Sequence, residues 1–117
     1  MRGISLNNDK YATQALASGA LNATFSFTKR YKLDEVLINF SQSVYETVTT
    51  TLISANGSNY NQVLDTQTLG GEKTYIFRPL GEANFNAGDT INVQCTNANG
   101  IGIAYAILKS SQLGAGS

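Results

Sequence analysis

The stretch from Phe85 to Tyr105, Phe-Asn-Ala-Gly-Asp-Thr-Ile-Asn-Val-Gln-Cys-Thr-Asn-Ala-Asn-Gly-Ile-Gly-Ile-Ala-Tyr, reads as a turn, a strand, a second turn and a second strand. Ala87-Gly88-Asp89 supplies a tight turn. From Thr90 to Thr96 the residues alternate, with Ile91, Val93 and Cys95 on one face, which is the pattern of a half-buried strand. Asn99-Gly100 offers the positive φ values that two-residue hairpin turns demand, so the spacing predicts a hairpin that closes on an apolar strand from Ile101 to Leu108.

The same period of two runs through most of the chain. Ala23, Phe25 and Phe27 alternate with Asn22, Thr24, Ser26 and Thr28. In Leu33 to Phe40, Val36, Ile38 and Phe40 oppose Leu37 and Asn39, and the centre of this segment is expected to be buried on both sides. Val44 to Ser54 reads as one long strand with Val44, Glu46, Val48, Thr50 and Leu52 on one face; its threonines suit a pleated, partly solvated surface. Ala55-Asn-Gly-Ser-Asn59 reverses the chain into a second hairpin, returning over Tyr60 to Thr66. Lys73 to Arg78 is a further strand, and Pro79 ends it or sits on an edge. Ile101, Ile103, Tyr105 and Ile107 oppose Gly102, Ala104, Ala106 and Leu108. A strand apolar on both faces is central in its sheet or covered by another subunit.

Met1 to Lys10 has little periodicity, and Tyr11 to Ala20 reads as an edge strand or extended arm. The organisation expected is an N-terminal arm over residues 1–20, a β-sandwich over 21–109 and a flexible Gly- and Ser-rich tail over 110–117. Turn signals every 8 to 12 residues or so point to an all-β, antiparallel, jelly-roll-like sandwich of about eight strands. The absence of tryptophan and of a cysteine pair counts against an immunoglobulin-like alternative.

Composition narrows the chemistry. With no histidine in 117 residues, hydrolytic triads and most zinc sites are excluded, and the single cysteine, Cys95, can form neither an intrachain disulfide nor a thiolate metal centre. Cys95 shares a strand face with Ile91 and Val93, where a thiol is a packing group. Asp34 and Glu35 are adjacent and point to opposite faces, so they do not form an acid–base pair. Asp89 follows Gly88 at the head of a strand, placed to accept a local backbone hydrogen bond and hold the turn. Asn84, Asn86 and Asp89 are oxygen ligands of the kind calcium prefers, but no acidic cluster of calcium-loop spacing accompanies them. The reading is of a protein that is not an enzyme, with no catalytic residue, cofactor or metal.

Eight basic and eight acidic side chains cancel, and at 14% charged residues the chain lies well below the roughly 25% of ordinary soluble domains. A surface of Asn, Thr, Ser and Gln lacks the basic field that nucleic acid or an anionic membrane requires, so neither is expected as a partner. No apolar run approaches the roughly 20 residues of a membrane span, and Met1 to Lys10 lacks the apolar core of a secretory signal. Six tyrosines with abundant amides suit stacking on sugar rings and binding of hydroxyls. Tyr60, with Asn59 beside the turn, is the candidate glycan platform.

Three features resemble small virion proteins of tailed bacteriophages, especially β-sandwich capsid decoration, or cement, proteins. They are the Thr-rich strand Val44 to Ser54 ending in Ala55-Asn-Gly57, the aromatic Tyr75-Ile-Phe-Arg-Pro79, and Phe85-Asn-Ala-Gly-Asp-Thr-Ile-Asn-Val93 leading to Cys95-Thr-Asn-Ala-Asn-Gly100. The resemblance implies a homo-oligomer, a trimer for preference, made in the host cytoplasm and bound to the major capsid protein on the virion surface. Under that reading Ile101, Ile103, Tyr105 and Ile107 form the subunit interface, and Arg2, Lys10 and Tyr11 contact the capsid. The alternative is a carbohydrate-binding or adhesion module at a phage fibre tip, using Tyr60 and Asn59.

Overall fold

The computed structural model describes residues 6–7, 9–80 and 83–112. The strands among these residues are β1 (Leu6–Asn7), β2 (Lys10–Ala15), β3 (Leu21–Ser26), β4 (Tyr31–Val44), β5 (Thr47–Ile53), β6 (Gln62–Thr68), β7 (Glu72–Phe77), β8 (Asn84–Phe85), β9 (Thr90–Cys95) and β10 (Ile103–Gln112), with a 3₁₀ turn at Ser58–Tyr60. They form two sheets, and every pairing between strands is antiparallel. In the first sheet β10 lies beside β4, with β1 and β2 sharing the outer side of β10 and β7 and β8 sharing the outer side of β4. The second sheet runs β3-β9-β5-β6. Each shared side counts as one line, so the chain visits eight lines in the orders 1-8-3-6 and 2-7-4-5. That is a jelly roll, a strand order that alternation alone could not supply.

The core forms between the sheets because the alternation places one apolar face of each strand inward. Val36, Ile38, Tyr75, Ala104, Ala106 and Leu108 of the first sheet meet Phe25, Val48, Leu52, Ile91, Val93 and Cys95 of the second, all buried. A complete side chain such as Ile91 contributes about 1.5–3 kcal/mol by leaving water. Tyr75 also crosses the gap with a polar link: its hydroxyl lies 2.8 Å from Thr50 Oγ1 and donates to Asp65 Oδ2 at 2.9 Å. Burial, with the Asp65 carboxylate beside the ring, pushes the Tyr75 phenol well above its ordinary range despite the Thr50 hydrogen bond.

Several sequence expectations shift. The predicted closing hairpin is absent: β9 pairs with β3 and β5, β10 pairs with β1, β2 and β4, and the Thr96 to Gly102 connection crosses between sheets. A two-residue turn of that kind needs positive φ at both central residues. Gly100 has φ 62°, but among the described residues no non-glycine has a positive φ, Asn99 included. The hairpin at Ala55 to Asn59 does form, as β5 and β6, with its return beginning at Gln62 because Ser58–Tyr60 takes up a 3₁₀ turn. Val44 to Ser54 is two strands. The chain leaves the first sheet after Val44 and enters the second at Thr47, yet Val44, Glu46, Val48, Thr50 and Leu52 are all buried as the period required.

The domain boundaries also move. Tyr11 to Ala20, read as an edge strand or extended arm and set outside the sandwich, supplies most of the edge strand Lys10–Ala15 paired along β10, and Leu16 behind it is fully buried, so this segment belongs to the sandwich. Ser110 to Gln112, placed in the tail, continue β10 against β4, where Ser111 Oγ donates to Asp34 Oδ2 at 2.6 Å. The first five residues of the arm, with Asn8, and residues 113–117 of the tail lie outside the described residues. β7 ends at Phe77, two places before Pro79, and is an edge strand as that proline implied. β4 is not buried on both sides, since Asn39 is exposed and Leu37 only half-buried.

Candidate interaction face

The register of the first sheet gathers its outward side chains into rows. Ile107 of β10 stands opposite Tyr11 of β2 and opposite Leu37 of β4, and Leu37 stands opposite Ile76 of β7. Residues opposite one another in an antiparallel ladder share a face. Tyr11, Ile107, Leu37 and Ile76 therefore form an unbroken apolar row across four adjacent strands, on the side away from the core that holds Ala106, Leu108, Val36, Ile38 and Tyr75. Tyr11 is 70% exposed and Ile76 42%. The next row is Thr13, Tyr105, Asn39 and Thr74, with Tyr105 45% exposed, and Ile103 stands opposite Ala15 beyond it. Single exposed apolar side chains are ordinary, whereas a contiguous set of this kind makes the face a candidate contact surface.

On the other flank the row is closed by charge. Lys109 stands opposite Glu35, whose Oε1 accepts from Arg78 Nε at 2.6 Å and whose Oε2 lies 3.6 Å from Lys109 Nζ. One largely buried carboxylate thus holds two cations beside the apolar row, Lys109 from β10 and Arg78 from just past the end of β7.

The connections at each end of the sandwich are organised by a buried carboxylate. Glu46, only 2% exposed, accepts from Thr96 Oγ1 at 2.8 Å, Ala98 N at 2.9 Å and Asn99 N at 2.9 Å, while its carbonyl accepts from Leu69 N. Burial by itself would raise the Glu46 pKa. Hydrogen bonds from Asn99, Thr96, Ala98 and Gly100 outweigh it and hold the carboxyl below its ordinary range. Sequence reasoning placed Glu46 on the inward face without seeing its role; a charge in a row of Val44, Val48 and Leu52 was the signal. At the opposite end Asp89 accepts from Asn86 N at 3.2 Å, the turn-holding bond its position implied, and also from Ala55 N at 2.8 Å. Cys95 is buried and its thiol donates to Thr96 O at 3.3 Å; burial and the nearby Glu46 push the thiol up to about 11. It is a packing group.

The residues singled out from sequence fall into three places. Ile103, Tyr105 and Ile107 project from the outer face of β10, and Ile101 is exposed just ahead of the strand. β10 is central, so its two apolar faces have different causes, the core on one side and the outer row on the other. Tyr11 joins that same outer row, whereas Lys10 holds its Nζ 5.2 Å from the centre of the Phe27 ring, and Arg2 lies outside the described residues. Tyr60 and Asn59 are exposed on the 3₁₀ turn between β5 and β6, apart from both sheet faces. Among the described residues no group of three or more His, Cys, Asp or Glu side chains stands together as a metal site.

No protein-family model and no curated protein matches the sequence. Among solved structures, the Drosophila NLP-core, whose crystal structure is described as providing insight into pentamer formation and histone binding, is similar at 11% identity and a TM-score of 0.44, over 92% of this chain and 98% of that one. A likeness at that score carries no argument here. The strand order and the outer face stand on their own geometry.

Proposed function

We propose that this chain is a non-enzymatic structural protein acting by surface contact, with the outer face of the first sheet as its self-association surface and a bacteriophage capsid as the assembly it decorates. The observation that carries the first part is the unbroken row Tyr11, Ile107, Leu37 and Ile76, flanked by Tyr105 and Ile103. Covering such a row with another copy removes apolar area from water at about 25 cal/mol per Å². The capsid part rests on the sequence resemblance, which supplies the major capsid protein as partner, the virion surface as location and a trimer as the closed assembly. Tyr11, a capsid contact under the resemblance, stands in the apolar row by its register, and this reading takes it as part of the self-association surface. Lys10, at the start of the edge strand, remains the described residue for capsid contact.

Two measurements test this reading. Light scattering of the purified protein at micromolar concentration is expected to give an oligomer, and a purely monomeric protein overturns the self-association. Mixing it with undecorated capsid shells and imaging them is expected to show protrusions at capsomer junctions, with a higher rupture temperature because a ligand of the intact shell stabilises it. Bare shells after mixing overturn the decoration role.

A further inference from the structure

The second sheet turns a face of different chemistry outward. Its register sets Asn22, Gln94, Thr49 and Thr66 in one row across β3, β9, β5 and β6, and Thr24, Asn92, Thr51 and Val63 in the next. No charged side chain stands in either row. A hollow of about 200 Å³ opens over the first row, lined by the polar Asn22, Thr47, Thr49, Gln94 and Thr96 and, between them, by the apolar Ala20, Leu21 and Cys95.

Some of these groups are already committed. Asn92 Nδ2 donates to Asn22 Oδ1 at 2.8 Å and to Thr24 Oγ1 at 3.1 Å, and the Thr96 hydroxyl donates to Glu46 while accepting from Thr47 N at 2.9 Å. The Asn22 amide nitrogen, the Gln94 amide and the Thr49 hydroxyl make no hydrogen bond to the described residues and line the hollow together. Amides and hydroxyls offer donors and acceptors side by side. An ionic partner finds no opposite charge on these rows, and a wholly apolar partner would strip water from the amides without replacing its hydrogen bonds. A neutral sugar meets both parts of the lining, its hydroxyls toward the amides and Thr49 and its C–H face toward Ala20 and Leu21.

The larger groove, about 540 Å³ at the open edge between β6 and β7, is poorer in available groups. Its Asp65 already accepts from Tyr75 and Gln67, and its Arg78 is held by Glu35.

We propose that the hollow over Asn22, Gln94 and Thr49 binds a neutral glycan, one sugar ring seated on the central strand β9 with the Gln94 amide reading its hydroxyls. This site is separate from the Tyr60 turn and independent of the self-association face. The test titrates the isotope-labelled full chain with maltose, cellobiose, chitobiose and lactose in turn, following backbone amide resonances. At least one sugar is expected to shift Asn22, Thr49 and Gln94 saturably. Gln94→Ala, at an exposed position, is expected to weaken that sugar about fivefold, the worth of one neutral hydrogen bond, and Gln94→Glu to weaken it as well by losing the donor. Tyr60→Ala is expected to leave the affinity unchanged. The proposal is overturned if no sugar moves these amides, if the shifts gather at Asn59 and Tyr60, if a sulfated disaccharide binds more tightly than its neutral parent, or if Gln94→Ala, folded by the same spectrum, binds as the parent does.

Discussion

Tyr11 and Ile107 face one another across the β2 and β10 pair, on the solvent side of the first sheet. One comes from a segment near the start of the chain and the other from near its end, so the row gains its fourth member, Tyr11, only once the edge strand has docked on β10.

A lysine at position 107 tests that row directly. Ile107 projects outward and is half-buried, so Ile107→Lys places an ammonium between Tyr11 and Leu37 without entering the core. An unpaired charge in a self-association surface weakens it by at least about tenfold. Sedimentation is expected to show the variant dissociating where the parent is assembled, with its β-sheet circular dichroism intact. Tyr11→Lys, at the exposed end of the row, is expected to act in the same direction and more weakly. Unchanged assembly in both variants would remove this face from consideration.

Glu46 contributes stability that is lost in acid. Its carboxyl is held below its ordinary value of 4.5 in the folded protein by hydrogen bonds that overcome the effect of burial. Above the unfolded pKa both states are ionised and the full stabilisation is present. As pH falls through the folded pKa, the unfolded state takes up its proton first, and the stabilisation is lost. Glu46→Gln keeps the shape but cannot accept every amide of the Thr96 to Gly100 connection. It is expected to cost about 2 kcal/mol at neutral pH and less in acid, flattening the pH dependence of denaturant midpoints. Parallel profiles for parent and variant would contradict this.

How much of this was legible before folding depends on the range of the interaction. Inward and outward faces followed from local alternation, and Val44, Glu46, Val48, Thr50 and Leu52 are buried even though the strand through them breaks at Tyr45. The Asn99-Gly100 turn misled because its backbone is set by a distant partner: Asn99 N donates to Glu46, fifty-three positions away in sequence. The candidate face was half visible. Ile103, Tyr105 and Ile107 stood out as a second apolar face on one strand, but Leu37 and Ile76 became their neighbours only through the register of β4 and β7. Alternation assigns faces, and it carries no information on which strands lie side by side.

The link between the sheets can be weighed by a double-mutant cycle. Thr50 and Tyr75 are both fully buried, and their hydroxyls lie 2.8 Å apart while Tyr75 donates to Asp65. Tyr75→Phe strands the Thr50 hydroxyl away from water and is expected to cost about 1–3 kcal/mol. Thr50→Val leaves the Tyr75 hydroxyl with Asp65 still to receive its proton, and costs less. The double variant is expected to be more stable than the sum of the two by about 1 kcal/mol, because both partners have gone together. Strict additivity in chemical denaturation would show that the two hydroxyls are not coupled.

Cys95 offers a probe of the fold's opening. Its thiol is buried and pushed up to about 11, so at neutral pH the nucleophilic thiolate is almost absent in the folded protein, whereas an exposed thiol titrates near an ordinary value of about 8.5. Iodoacetamide is therefore expected to label the native protein only as fast as β9 opens, with a rate that rises with denaturant alongside unfolding. Glu46 contributes to the raised value, so Glu46→Gln is expected to speed labelling twice over, through lower stability and through a more acidic thiol. At alkaline pH the sign is opposite to that at the acid limit: once pH exceeds the unfolded thiol's pKa, the unfolded state releases a proton that the folded state keeps, and stability falls as pH rises toward 11. Replacing Cys95 by Ala is expected to remove that part of the alkaline decline, at the cost of a small cavity against Leu21 and Val48. Labelling at a rate independent of denaturant, or an unaltered alkaline profile in Cys95→Ala, would contradict the packing role.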